Sequence, residues 1–350
     1  MFEGNLLLMK RTLALFLFVA PAAISAAAQD APSVENRYFE FSPPKKRRPV
    51  ESLYNTIDFL DSRPDSAYIG ILERGSKKIV RLVLKTPVQP QLASFLTAYS
   101  ARESGAVGEL LFQLRRYSFA EPRKTRYVYL AGTLYVRNGD QYARLANLDT
   151  VISMNAPSFF QQELGDRMAE VFGKFFARSI HMTPADGPTY CLDDLGRIDS
   201  LEKRQIPVYN TTNYVDGFYS NYTAFKNQQP DIKGHIQLND DGSISRPVVD
   251  DPAWKAEQHA HIYAIVYRGV PYVVTHYGYF LLEKKDDEFY FTGPLRVNVT
   301  DGEVAVSEVA LGMLGRGIVT DAGDKNFYRV LIDHQNGEFI HLETLAVDAE

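Results

Sequence analysis

The clearest alternation of side-chain character along the chain lies in two neighbouring segments, Tyr127–Val136 and Tyr142–Ile152. Between them stands the dipeptide Asn138-Gly139, which favours the positive backbone angles of a type I′ hairpin turn. The even-numbered positions of the first segment share one face of a strand and are aliphatic: Val128, Leu130, Leu134 and Val136. The pattern therefore predicts a central β-hairpin whose aliphatic face is turned towards the core.

The segments on either side of this hairpin predict further strands and two helices. Strand patterns cover residues 68–73, 78–84 and 109–119. Residues 90–101 have proline near their first turn and predict a helix. Residues 157–179 carry phenylalanine, leucine and methionine at helical spacing and predict a second, longer helix. The order of these elements predicts an α+β fold in which two helices cover a mostly antiparallel sheet.

The C-terminal half has a different character. Prolines and glycines interrupt the periodicity between Thr183 and Gln205. Beyond this point the chain predicts strands over residues 261–267, 272–282, 289–292, 327–333 and 338–342. Asn336-Gly337 predicts the turn that joins the last two strands. We therefore predict an α+β domain over residues 66–182, a linker over 183–204 and a β-rich domain over 205–350.

The first 28 residues have the pattern of a signal peptide. Lys10-Arg11 precede the apolar segment Leu13–Ala28, and Ala26-Ala27-Ala28 offers a cleavage site. An uncleaved anchor is the alternative, but about 16 residues interrupted by Pro21 fall short of the roughly 20 that span a bilayer. The pattern predicts an exported protein, periplasmic or extracellular, whose mature chain has no transmembrane span.

Residues 29–65 are polar and contain the sequence SPPKKRRP. Four consecutive cations, Lys45-Lys46-Arg47-Arg48, are compatible with contact to anionic lipid. The prolines around them favour an extended, solvated segment. We predict a polar, irregular linker here.

Composition and charge narrow the possible partners. The chain of 350 residues has a formal net charge of −5, which argues against a nucleic-acid partner. Its one cysteine, Cys191, permits no internal disulfide and lies far from the cleavage site. The protein is therefore expected not to be a lipoprotein.

Part of the C-terminal half resembles a known group of sequences. The segment from Asp216 to Asp231 reads DGFYSNYTAFKNQQPD, and it is followed by YFLLEKKDDEFYFTGP and FYRVLIDHQNGEFIHL. This layout resembles exported bacterial proteins of uncharacterised function over roughly residues 205–345. The N-terminal half is loosely similar to small α/β modules of envelope assembly and transport accessories. These resemblances imply export and a shared fold, and they imply no mechanism.

The residues that could carry chemistry are few. The sequence contains no G-x-S-x-G, H-E-x-x-H, Walker A or G-x-G-x-x-G motif. His259 and His261 stand two apart, so they share a face if they lie on a strand. If Arg268-Gly269 forms a two-residue turn, His276 lies opposite His261, and with a four-residue turn at 268–271 it lies opposite Tyr263, still on the face of His261. With either even-length turn the three imidazoles could bind zinc, whereas an odd-length turn would destroy the site. The alternative is that they are half-exposed sheet histidines with aromatic neighbours.

A second constellation combines aromatic and amide side chains between Tyr209 and Gln229. Exposed tyrosines flanked by amides could stack on sugar rings, whereas buried ones would serve the core. With the missing catalytic motifs, these observations predict a non-enzymatic cell-envelope protein that acts through contacts with an unknown protein or envelope partner, with no cofactor. The alternative is a metal-binding protein or metal-dependent hydrolase that uses His259, His261 and His276.

Overall fold

The computed structural model describes most of the chain after the predicted signal peptide. The residues described are 33–63, 66–73, 78–101, 105–120, 125–155, 160–240, 244–250, 262–294, 298–299, 318–319 and 327–345. Every structural statement below concerns these residues. The predicted signal peptide and His259 and His261 lie outside them.

The chain folds into five helices and twenty strands in these ranges, an α+β fold rich in strands, as predicted. Up to residue 190 the strands are β1 Ser33–Phe39, β2 Tyr54–Asp61, β3 Gly70–Glu73, β4 Lys78–Leu84, β5 Gly108–Ala120, β6 Thr125–Asn138, β7 Gln141–Asn155 and β8 Thr189–Tyr190. The helices are α1 Val88–Tyr99, α2 Phe160–Ser179, α3 Leu192–Leu195, α4 Ile198–Lys203 and α5 Tyr222–Lys226.

The remaining strands belong to the C-terminal half. They are β9 Gly217–Tyr219, β10 Gly234–Leu238, β11 Ile244–Val249, β12 Ala264–Tyr267, β13 Val270–Thr275, β14 Gly278–Leu281, β15 Glu283–Lys285, β16 Glu288–Gly293, β17 Asn298–Val299, β18 Ile318–Val319, β19 Phe327–Ile332 and β20 Phe339–Leu345.

The central sheet has five strands in the order β2-β5-β6-β7-β8. Strands β5, β6 and β7 pair antiparallel, as predicted for the hairpin, while β2 pairs parallel to β5. A second sheet of the N-terminal half has the order β1-β4-β3. In the C-terminal half, the larger sheets are β14-β13-β12-β9 and β15-β16-β19-β20.

The prediction of an irregular linker over residues 29–65 is wrong in the part that the structure describes. Strand β1 pairs parallel with β4, and β2 pairs parallel with β5, some 50 residues further along the chain. Such partners are remote in sequence, so the local pattern of an exposed edge strand does not reveal them. The segment 183–204, predicted as a linker, contains β8, α3 and α4. The division into two domains stays a prediction.

The two long helices form where predicted and cover one face of the central sheet. Their apolar side chains join those of β5, β6 and β7 in one buried cluster. Phe172 of α2 lies at its centre, with its ring 4.9 Å from Phe41 and 5.8 Å from Phe112. Burial of this aromatic surface stabilises the N-terminal half.

The central hairpin confirms the predicted faces and corrects the predicted turn. Val128, Leu130 and Leu134 lie in the helix-covered cluster. Asn138 pairs with Gln141, so the two turn residues are Gly139 and Asp140 instead of Asn138-Gly139. Of these only Gly139 has a positive φ, 63°, whereas a type I′ turn needs two.

The opposite face of the central sheet is also buried. Tyr127, Tyr129 and Val151 on this face belong to a second cluster made mostly of residues from the C-terminal half. The central sheet is therefore covered by helices on one face and by C-terminal strands on the other.

A β-bulge in β5 changes which side chains reach that second face. The register shifts between Leu114 and Arg116, so Arg115 is an extra residue in the strand. Leu114 and Tyr117 both face the helices, although three positions separate them. Arg115 and Arg116 are consequently both directed to the opposite face, where a regular strand would present only one of them.

Two predicted strands of the C-terminal half differ from their predicted bounds. Strand β12 begins at Ala264, and the segment 272–282 divides at His276-Tyr277 into β13 and β14. Asn336-Gly337 lies in the turn between β19 and β20, as predicted, with φ of 79° at Gly337. Among the residues described, no helix combines the length and the hydropathy needed to cross a membrane.

Candidate functional site

The densest set of interacting charges lies where the second face of the central sheet meets α4 and the turn between β19 and β20. We call this set the charged junction. Its members are Arg115, Arg116, Arg144, Asp149, Asp199, Glu202, Asp333, His334 and Glu338. The junction joins segments that are more than 200 residues apart in the sequence.

Glu202 is the centre of the charged junction. Its carboxylate accepts hydrogen bonds from Arg115 Nη2 at 2.6 Å, from Arg144 Nη2 at 2.6 Å and from Gln335 Nε2 at 3.2 Å. His334 Nε2 lies 3.0 Å from Glu202 Oε2. Because an ionised carboxylate only accepts, Nε2 carries the proton of the imidazole. Both carboxylate oxygens of Glu202 are therefore fully used within the protein.

Arg116 forms the other half of the junction. Its guanidinium donates to Asp333, a carboxylate that is 3% exposed. Asp333 also accepts the backbone N–H of Gln335 at 2.8 Å. Asp149 accepts a hydrogen bond from Asn336 Nδ2 at 2.7 Å. The pair and its neighbours hold the tip of the β19–β20 hairpin against the sheet.

The carboxylates of the junction have opposite pKa shifts. Burial acts to raise the pKa of Glu202, but the hydrogen bond from His334 and the charges of Arg115 and Arg144 lower it overall. Burial likewise opposes ionisation of Asp333, yet Arg116 lowers its pKa to about 2. Burial and the charge of Asp333 raise the pKa of Glu338 to about 7. Burial and the same neighbour raise the pKa of Asp149 well above its ordinary value.

Three tyrosines attach the same hairpin to the rest of the fold. Tyr222 Oη donates to the carbonyl of His334, and Tyr263 Oη donates to that of Gly337, both at 2.8 Å. Tyr129 Oη accepts the N–H of His341 at 3.4 Å. Burial raises the pKa of all three hydroxyl groups, so they remain neutral donors and acceptors.

Asp199, Glu202 and His334 have a geometry that could be read as a metal site. One ligand atom from each lies within 4.8 Å of the others. However, Arg115 Nη2 donates to both carboxylates and lies 3.4 Å from His334 Nε2. The guanidinium thus stands where a cation bound to these three ligands would stand. This Asp/Glu/His cluster is an ion-pair network, and a metal ion would have to displace Arg115 from it.

The histidines predicted to bind zinc are only partly described. Tyr267 pairs with Val270, so Arg268-Gly269 is a two-residue turn, one of the two even-length turns that the zinc hypothesis allows. His276 is exposed in the turn after β13, with its ring against Tyr277. His259 and His261 lie outside the described residues, so the site stays a prediction.

The tyrosine-rich stretch serves the core. Tyr209, Tyr219 and Tyr222 are at most 6% exposed and lie in the second buried cluster. They present no surface on which a sugar ring could stack, and the carbohydrate hypothesis is therefore wrong for these side chains.

The charged junction has one signal in the sequence, which lies in β5. Apolar side chains in β5 follow even positions up to Leu114 and odd positions from Tyr117. This change of phase around Arg115-Arg116 is the signature of a bulge. The partners of these arginines come from two distant segments, α4 and the turn after β19, and no local pattern identifies them.

A second feature with ligand-binding geometry lies on the helix-covered side. We call residues 42–48 the basic strap, because Lys45, Lys46, Arg47 and Arg48 are all exposed along it. Between the strap and α2 lies a groove of about 570 Å³. Lys45, Arg48 and Lys174 line it together with Tyr99, Ala169 and Gly173, among others.

The basic strap is held in place at both ends and in the middle. The ring of Phe41, just before the strap, is buried under α2, and its N–H donates to Gln91 Oε1 at 2.8 Å. Val50, just after it, donates its N–H to the carbonyl of Tyr99 at 2.7 Å. Arg47 Nε donates to the carbonyl of Ala98 at 2.9 Å. The strap is therefore part of the folded surface.

Comparisons with known proteins add little to this picture. No family model matches the chain, and no curated protein does. Among solved structures, the chain is similar to a protein from Xanthomonas campestris described by the family model DUF330. The two share 13% sequence identity over 41% of this chain and 95% of that one, with a TM-score of 0.27. A similarity this low carries no argument about either fold or function.

Proposed function

We propose that this is an exported, non-enzymatic protein of the bacterial cell envelope, periplasmic or extracellular, which acts by contact with a protein or an envelope surface. The observation that carries the proposal is the contrast between the two charged features. In the charged junction the cations form ion pairs with carboxylates of the protein. The cations of the basic strap are exposed to solvent. Charges fixed on a folded surface and left without partners favour association.

The chemistry of the charged junction is consistent with a structural role. A catalytic acid or base must reach a substrate, and in the junction Glu202 and Asp333 are already held by arginines. The ion pairs link the sheet to α4 and to the β19–β20 hairpin. Their role in the proposal is to orient the two halves of the chain.

Export is supported by the pattern of residues 1–28 and by the resemblance of the C-terminal half to exported bacterial proteins. The test is to produce the full chain in a bacterial host, separate the cytoplasm from the envelope, and determine the mass of the product. We expect the chain in the envelope fraction, beginning near Gln29. An arginine in the apolar segment, Leu17→Arg, should leave the unprocessed chain in the cytoplasm. Recovery of the unchanged parent chain from the cytoplasm would refute the proposal.

A second candidate function is metal binding by His259, His261 and His276. The observation that favours it is the two-residue turn at Arg268-Gly269. A turn of even length keeps His261 and His276 on the same face of the hairpin. The test is the zinc content of the purified chain after zinc is offered. One zinc per chain, lost in His261→Ala and kept in His181→Ala, would support this function. An equal zinc content in parent and His261→Ala would exclude it.

A further inference from the structure

The basic strap is the strongest unassigned surface of the described chain. Lys45, Lys46 and Arg48 are exposed, and among the described residues none of them has an acidic partner within ion-pair distance. Arg47 uses its guanidinium to fix the strap to α1. Elsewhere in the described N-terminal half, exposed cations such as Lys85, Arg137 and Lys174 have acidic partners, with Lys174 2.8 Å from Glu170. Arg81 instead lies over the ring of Tyr68. The strap therefore concentrates uncompensated positive charge on a chain whose net charge is negative.

The groove beside the strap adds to this charge. Lys174 lies across the groove from Lys45 and Arg48. The carboxylates of Asp166 and Glu170 also line it, and Glu170 is held by Lys174 and Arg167. Counted together, strap and groove carry five cations against two carboxylates. The sign of the excess points to an anionic partner.

The shape of the surface favours an extended anionic partner over a single small ion. Lys45, Lys46, Arg47 and Arg48 are consecutive and all exposed, so their charge is spread along the strap, whereas a pocket for a single phosphate gathers its donors around one anion. Pro43 and Pro44 place apolar surface beside them. Because the strap is held by Phe41, Arg47 and Val50, few degrees of freedom are lost when it meets a surface.

We propose that the basic strap binds the anionic phospholipid headgroups of a membrane surface. This inference adds a binding partner to the proposed function. It rests on that function because export determines which membrane surface the protein contacts. Lysine and arginine near an anionic bilayer each add about 1 kcal/mol, which is roughly a fivefold change in binding. Together, the three cations without acidic partners therefore increase binding on the order of a hundredfold, and the association is reversible and sensitive to salt.

The test uses the chain from residue 29 onward, which contains every described residue, and vesicles with equal amounts of phosphatidylglycerol and phosphatidylcholine. Binding is measured by co-sedimentation. We expect binding to these vesicles, loss of binding in high salt, and no binding to phosphatidylcholine alone. The double variant Lys45→Ser/Lys46→Ser should bind on the order of 25-fold more weakly.

The matched control is Lys233→Ser/Lys285→Ser, which removes the same charge from two exposed lysines of the C-terminal half. We expect it to bind within about twofold of the parent, because only charge near the bilayer contributes. Thermal melting shows that each variant is folded, and Arg48→Ser examines the same surface independently.

Equal binding by parent and strap variants, or equal losses in strap and control variants, would overturn the inference. So would release by soluble glycerol phosphate at constant ionic strength, which would indicate a single-headgroup pocket.

The result can be separated from that of the proposed function. If the chain is found in the envelope but does not bind phosphatidylglycerol vesicles, lipid binding is refuted. The hypothesis of contact with a protein then remains. A chain that binds the vesicles through the strap but remains in the cytoplasm would refute export and leave the lipid-binding surface.

Discussion

Glu202 is the residue on which the charged junction depends, because its one carboxylate compensates two arginines. Replacing it by glutamine leaves Arg115, whose side chain is 6% exposed, with only the half-exposed Asp199. Removing one partner of a buried ion pair costs about 3–5 kcal/mol. We therefore expect Glu202→Gln to lower the free energy of unfolding by about that amount in urea titrations.

The control for this prediction is Glu170→Gln. Glu170 also contacts two cations, Lys174 and Arg167, but it is 50% exposed on α2. Exposed pairs contribute only about 0–1 kcal/mol, so this variant should unfold close to the parent. Similar losses of unfolding free energy in both variants would show that Glu202 contributes no more to stability than an exposed ion-pair residue does.

Glu338 should make stability depend on pH in the opposite sense to the paired carboxylates. Its pKa is raised from 4.5 to about 7 by burial and by Asp333, so the folded state binds its proton more tightly than the unfolded state does. Stability is then lost as pH rises from about 5 to 7, since the folded state must ionise a disfavoured group. We expect Glu338→Gln to match the parent near pH 5 and to exceed it by roughly 2 kcal/mol near pH 8.

Urea titrations of both proteins at several pH values check this expectation. Glu202 has a lowered pKa and loses its stabilising effect as pH falls, in parent and variant alike. Asp149 and Asp333 interact with the charge of Glu338, so the difference between the two curves reports Glu338 together with its interaction with these two carboxylates. A difference that is constant with pH would contradict the assignment.

The residues of the charged junction could not be predicted from sequence for a physical reason. The hydrogen bonds of Glu202 cross 87 residues to Arg115 and 132 to His334. Such pairs form only after the fold brings the segments together, so the sequence around Glu202 looks like an ordinary polar helix. The histidines that the sequence did single out lie elsewhere.

At the scale of elements, the turn between β19 and β20 is constrained by both its backbone angles and its packing. Gly337 has φ of 79°, and an added Cβ would lie 2.3 Å from Cγ of Tyr222. Gly139, in the central hairpin, has φ of 63° but has open space around its missing side chain. Alanine at either position would therefore have a strained backbone. Only at Gly337 would its Cβ also clash with a neighbouring side chain.

We expect Gly337→Ala to destabilise the protein more than Gly139→Ala. A left-handed alanine costs about 1–2 kcal/mol, and this is the whole cost at Gly139. At Gly337 the buried tyrosine must also move, so the loss should exceed about 3 kcal/mol. Thermal melting of the two variants compares them directly, and equal melting temperatures would refute the packing argument.

The elements that the sequence predicted well are those whose pattern is complete within one segment. Helix α2 and the two strands of the β6–β7 hairpin display their periodicity over many residues, and these elements formed where predicted, although the hairpin turn is at Gly139-Asp140. Strand β1 exposes Val34 and Tyr38 and depends on β4 for pairing, so it has no amphipathic signature. Strands at the edge of a sheet are in general defined by their neighbour.

At the scale of the whole molecule, the two halves meet across the second face of the central sheet. Tyr127, Tyr129 and Val151 are buried there by C-terminal residues. We expect the fragment 29–204 to melt at a lower temperature than the chain 29–350 and to bind an apolar dye, because this face becomes exposed. A fragment that melts like the longer chain and binds no dye would support two independent domains.

The sequence predicted the fold class, and it did not predict this shared face. The boundary near residue 183 stays a prediction. Tyrosines at alternate positions of β6 are compatible with either solvent or a second layer. Only the position of the C-terminal strands decides between them. The function of the whole chain is harder still to predict, since it depends on a surface charge pattern and not on a motif.

Because of the bulge in β5, the length of that strand determines how many arginines face the charged junction. If one residue were deleted at Arg115, Leu114 and Tyr117 would fall into strict alternation and the apolar face would be unchanged. Only one arginine would then remain for the two acidic partners, Glu202 and Asp333. In a homologue with β5 one residue shorter, we therefore expect one of these two acids to be replaced as well.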